Sequence, residues 1–107
     1  MNVSAANCRR EGDGRSAQFT PIEPLKPSNF VSLRATKSLA LCIEGSAGKI
    51  AKLNLSWNKF KAVAINAPLT IFSSNFNDLQ ICFQGRKVDE IGKTVHELIL
   101  NPVPFVL

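Results

Sequence analysis

The feature that most restricts this chain is a pair of period-two segments on either side of a glycine-bearing reversal. Leu39, Leu41 and Ile43 alternate with Ala40 and Cys42; a little further on, Ala51, Leu53 and Leu55 alternate with Lys52, Asn54 and Ser56. Successive side chains of an extended strand point to opposite faces, so each segment predicts a strand with one buried face. Between them, Glu44-Gly45-Ser46-Ala47-Gly48-Lys49 supplies glycines for the positive φ of a tight reversal, and the two strands are expected to form a hairpin. Leu79-Gln80-Ile81-Cys82-Phe83 alternates in the same way and predicts a third strand, with Gln84-Gly85-Arg86-Lys87 as a turn into Val88.

Other segments read differently. Asn58 stands where a helix N-cap would, and Phe60, Val63, Ala64 and Ala67 follow at helical spacing up to Pro68, which predicts one short amphipathic helix. Thr94 with Glu97 three residues later resembles a capping box and predicts a short helical turn. Val103, Phe105, Val106 and Leu107 predict a last strand. Before Ser38, Gly12, Gly14, Pro21, Pro24 and Pro27 lie among Ser, Asn and Arg without an apolar period, so residues 1–37 are expected to form a flexible, disordered arm. Residues 38–107 are then the folded domain. Arg9, Arg10 and Arg15 are interrupted by Glu11 and Asp13, which argues against a mitochondrial presequence. The proline spacing suits a stiff polyproline spacer.

At 107 residues the chain suits one domain, and 45% hydrophobic with 20% charged is ordinary globular usage. No apolar run approaches the roughly 20 residues of a membrane span. No export signal is readable, and three cysteines, an odd number, are expected to be reduced thiols in an intracellular protein of the cytoplasm or nucleus. A net charge of +5 and a pI near 9.5 favour attraction to anionic surfaces.

With strand, strand, helix, strand, helical turn and strand in that order, the segment from Leu39 to Leu107 resembles ubiquitin and ubiquitin-like domains. The hairpin carries part of the resemblance. The rest lies in Leu79-Gln80-Ile81-Cys82-Phe83-Gln84-Gly85-Arg86-Lys87-Val88-Asp89-Glu90 and, after Ile91, Gly92-Lys93-Thr94-Val95. These match the family's pattern of apolar, any, Phe, any, Gly, basic, any, apolar, two acids, Gly, basic, Thr, apolar. The resemblance implies an α+β fold, a β-grasp in which a mixed sheet packs on one short helix. It also implies that Leu41, Leu53, Ile81 and Phe83 converge beneath that helix, and that Leu39–Ile43 pairs in parallel with the chain end. The family's recognition surface, carried over by motif position, falls on Ser46, Cys82 and Val106 beside Arg86. Pro102 and Pro104 depart from the family's last strand, and the terminal Gly-Gly needed for conjugation is lacking.

Catalytic and metal readings are weak. Gly45-Ser46-Ala47-Gly48-Lys49 lacks the first glycine and the Ser or Thr of a phosphate loop, and a hairpin turn explains it. Cys42 and Cys82 read as small strand residues, and His96, the sole histidine, has no visible activating partner. Cys8, Cys42, Cys82 and His96 lack the paired spacing of a zinc site. Neither a cofactor nor an enzymatic activity is expected. The expected function is a noncatalytic, ubiquitin-like protein–protein interaction module, not itself conjugated. Its partners are expected to be proteins, among them ubiquitin-pathway or proteasomal receptors, with no membrane partner. The alternative is a basic nucleic-acid-associated protein or a structural subunit of a larger assembly.

Overall fold

The computed structural model describes residues 15–89, 91 and 95–105. Among the described residues, nine strands form two sheets. The first sheet runs β1 (Arg15–Phe19), β9 (Val95–Leu100), β6 (Leu69–Ser73), β3 (Leu39–Glu44), β4 (Ile50–Leu55) from edge to edge. The second runs β5 (Phe60–Val63), β2 (Val31–Ala35), β7 (Leu79–Phe83), β8 (Arg86–Lys87). β1 and β9 are parallel, and every other pairing is antiparallel. No helix among the described residues is long and apolar enough to cross a membrane.

Alternation within each strand builds the core. Val31, Leu33 and Ala35 of β2 and Leu79, Ile81 and Phe83 of β7 face inward from the second sheet; Leu41 and Ile43, Leu53 and Leu55, Leu69 and Ile71, and Leu98 and Leu100 do so from the first. All belong to one cluster of buried side chains, so the sheets stack face to face as a sandwich. Burying one such side chain fully contributes about 1.5–3 kcal/mol, which is why the inward rows outweigh local propensity.

The hairpin is as expected: Leu41 sits opposite Leu53 and Ile43 opposite Ala51. Its reversal closes with the Gly45 N–H donating to the Lys49 carbonyl at 2.7 Å, and Gly48 takes φ 76. Gly45 stays at φ −92 and is needed for space instead, because a Cβ there would lie 2.5 Å from Ile65 Cγ1. The strand expected at Leu79–Phe83 is β7, followed by the turn at Gln84 and Gly85.

The expected α+β β-grasp is overturned. Where a helix is predicted over 58–67, the chain turns at Asn58 and enters β5. From there Val63, Ile65, Leu69 and Ile71 are buried and Ala67 half-buried, while Ala64, Asn66 and Pro68 are exposed. That is period two through the cis Ala67–Pro68 bond, and a helix would have scattered these side chains around its axis. The helical turn predicted at Thr94 is also replaced. Thr94 itself lies outside the described residues, and β9 begins at Val95, paired on both sides. Leu41 and Leu53 do share a core with Ile81 and Phe83, but from opposite sheets and with no helix above them. Leu39–Ile43 pairs antiparallel with β4 and β6 rather than in parallel with the chain end. Phe105 is irregular, and residues 106 and 107 lie outside the described residues.

The arm expected over 1–37 is overturned from Arg15 onward. β1 closes one edge of the first sheet, and β2 is an interior strand of the second with Val31, Leu33 and Ala35 fully buried. The proline-bearing loop between them is fastened by Gln84, whose side chain is 1% exposed. Gln84 Nε2 donates to the carbonyls of Lys26 at 3.1 Å and Val103 at 2.8 Å, and Oε1 accepts the Val103 N–H at 2.8 Å. The Gln84 carbonyl accepts from the Leu25 N–H at 2.8 Å. One side chain thus ties the β1–β2 loop, the β7–β8 turn and the segment after β9.

Candidate functional site

The outer face of the second sheet follows from the register. Phe60 lies opposite Arg34, and Arg34 opposite Gln80, forming one row across three strands. Ala62, Ser32, Cys82 and Lys87 form the next row across all four. Directly opposed Cβ atoms sit about 4.5–5.5 Å apart, so neighbours within a row are within reach of one another. These positions alternate with the buried Val31, Leu33, Val63 and Ile81 and therefore point outward; all but the half-buried Ser32 are exposed.

A turn sets the aromatic end of this face. Lys59 N–H donates to the Ser56 carbonyl at 3.1 Å, and Asn58 occupies the left-handed region at φ 59, which Asn tolerates better than most residues. Asn58 N–H also donates to the Ala35 carbonyl at 2.7 Å, fixing the turn to the end of β2. Trp57, in the turn, and Phe60, just beyond it, are each 67% exposed. Arg34 and Lys87 stand on the face, and neither has an ion-pair partner among the described residues. Neither row contains a carboxylate. At the far end, Gln80 and Lys87 join the apolar side chains of Phe76, Leu79, Val88 and Ile91 in a cleft of about 550 Å³, with Asp89 also on its wall.

Of the four positions carried over from the ubiquitin pattern, Ser46 stands apart from Cys82 and Arg86, which lie on the neighbouring strands β7 and β8. Ser46 is in the β3–β4 turn of the first sheet, where its hydroxyl donates to the Asn66 carbonyl at 3.4 Å. Cys82 is on the outer face of the second sheet, exposed and free. Arg86 secures the β1–β2 loop: Nε donates to the Glu23 carbonyl at 2.9 Å, and its guanidinium lies 3.8 Å from the Glu23 carboxylate. Val106 lies outside the described residues. Ser46 and Cys82 therefore belong to different sheets, and Arg86 is occupied with a structural task.

The cysteine reading also changes. Cys42 is disulfide-bonded, so the expectation of reduced thiols fails there, and Cys8 lies outside the described residues. His96 stands on β9 of the first sheet and Cys82 on β7 of the second, so the two are not paired. Among the described residues, no three His, Cys, Asp or Glu side chains gather as a metal site. The phosphate-loop-like Lys49 directs its Nζ to the Ala64 carbonyl at 3.5 Å, as a turn residue would.

Sequence reasoning missed Trp57, Phe60, Arg34 and Gln80 as a group. Phe60 was expected inside a helix–sheet contact and Arg34 inside the arm. Their alternation with buried neighbours was readable, but their adjacency depends on strand pairing. Neither a protein-family model, nor a curated protein, nor a solved structure matches this chain.

Proposed function

We propose that this chain is a noncatalytic protein-interaction module that docks its partner on the outer face of the β5-β2-β7-β8 sheet. The observation that carries the reading is the exposure of Trp57 and Phe60, with Phe60 paired opposite Arg34 at the edge of the sheet. Trp and Arg are the residue types most enriched at interface hot spots, where an aromatic anchor is desolvated and a guanidinium fixes orientation. Holding two large aromatics in water has no packing benefit within this chain, whereas a partner covering them removes that apolar surface from solvent. The face is formed by strands of the core, so it is pre-organised and binding requires little ordering of the backbone.

Display of random peptides against the immobilised full chain tests this. Enriched peptides are expected, and Trp57→Ala combined with Phe60→Ala is expected to weaken them by about tenfold or more. Both side chains are exposed, so the thermal transition should barely move. Failure to enrich any peptide, or enrichment indifferent to the double substitution, overturns the reading.

A further inference from the structure

Resting on that docking face, we propose that its occupant is an acidic segment of a partner protein lying across the strands. Its apolar side chains would pack at Phe60 and in the cleft beside Lys87, and an acid between them on the same face would lie between Arg34 and Lys87. Charge complementarity selects the class. The rows present Arg34 and Lys87, no acid stands within them, and the chain as a whole carries +5. Unpaired cations on an apolar-ended face attract carboxylates and repel basic segments.

The apolar features sit at the two ends: Phe60 on β5 with Trp57 in the turn before it, and the 550 Å³ cleft lined by Leu79 of β7 and Val88 just after β8. Between them the surface is small and polar, with Ser32, Gln80 and Cys82. Three inter-strand spacings of about 4.8 Å make roughly 14 Å, which an extended segment of about four or five residues spans. In such a segment the first, third and fifth side chains share one face, so apolar first and fifth residues reach the two ends and an acidic third residue lies over the polar middle beside the cations.

Docking runs across the face rather than along the free edge of β5. Lys61 lies opposite the inward-facing Leu33, so a charged side chain projects on the inner side of that edge strand, an arrangement that resists strand addition. Nucleic acid fits less well, because both exposed aromatics lie at one end and offer no succession of stacking platforms along the face.

The test is fluorescence anisotropy of the full chain with three labelled probes: a peptide with leucine at its first and fifth positions and glutamate at its third, its lysine-for-glutamate counterpart, and an oligouridylate. The acidic peptide is expected to bind, more weakly as salt rises, and the basic one not to bind. Arg34→Glu and Lys87→Glu, both at exposed positions, are each expected to weaken the acidic peptide about tenfold while preserving the thermal transition. Equal binding of the two peptides overturns the proposal, as does indifference to both charge reversals. Tighter binding of oligouridylate at the same face assigns the site to nucleic acid and overturns it too. If display yields peptides that depend on Trp57 and Phe60 but carry no acids, the acidic-partner inference falls while the docking module stands; if display yields none, the docking module itself falls.

Discussion

Replacing Gln84 by methionine removes a polar latch with little change in side-chain volume. The substitution deletes the three side-chain hydrogen bonds to Lys26 and Val103, at 2.8 to 3.1 Å, in a site where Gln84 is 1% exposed. The Val103 N–H loses its acceptor outright, and the carbonyls of Lys26 and Val103 each lose a donor. A buried polar group left without a partner costs about 1–3 kcal/mol, and water reaches part of this half-buried cluster, so the sum is roughly 3 kcal/mol. Urea denaturation reads it directly. With a slope of about 1.5 kcal/mol per molar, the midpoint should fall by about 2 M at unchanged slope. A companion variant, Gln84→Glu, sharpens the test. Its ionised carboxylate still accepts the Val103 N–H but faces two carbonyl oxygens that glutamine donates to, whereas the protonated acid donates to one of them. Its folded pKa is therefore raised above the unfolded value, so the stability it contributes is present at low pH and lost as pH rises through the folded pKa. The gap from wild type should be smaller at pH 4 than at pH 7. A Gln84→Met midpoint within experimental error of wild type would refute the latch, and a pH-independent gap for Gln84→Glu would refute the assigned donor geometry.

Leu33→Ala should cost about 2–5 kcal/mol, because Leu33 is fully buried in an interior strand; calorimetry or urea melts showing no loss would return residues 31–35 to the status of an arm. Asn58→Val should cost about 1–2 kcal/mol, because a β-branched residue is strained at φ 59, while Asn58→Gly should be tolerated. Equal stability of those two variants would argue against the turn at Trp57 and Asn58.

The elements legible from sequence were those in which the burial pattern is local and unopposed. β3, β4 and β7 each alternate cleanly and are bounded by turn residues, so their inward rows of Leu41 and Ile43, Leu53 and Leu55, and Ile81 and Phe83 were readable before any pairing was known. β2 alternates just as well, with Val31, Leu33 and Ala35 against Ser32 and Arg34, but the prolines before it made the whole stretch resemble an arm. Those prolines occupy a loop held by Gln84 and Arg86, and neither clamp is visible without the tertiary contacts.

The helix expected over 58–67 failed for a specific reason. Phe60, Val63, Ala64 and Ala67 satisfy helical spacing, yet Val63, Ile65, Ala67, Leu69 and Ile71 satisfy strand spacing over a longer run, and Ala64 proved exposed. Asn58 is compatible with an N-cap or with a left-handed turn, since the same short polar side chain serves both. Part of the ubiquitin-like pattern lay in β7 and its turn through Gly85, which formed as expected, whereas the strand partners that the pattern implied did not.

The sequence by itself determined which residues of β3, β4 and β7 face inward and that the chain reverses after β3 and after β7, because alternation and turn chemistry arise from backbone geometry over a few residues. Only the tertiary structure decided that there are two sheets, that β1 and β2 belong to them, and that Phe60 stands next to Arg34. Strand pairing is chosen by the burial of the whole core between distant segments, and that free energy is not contained in any one of them.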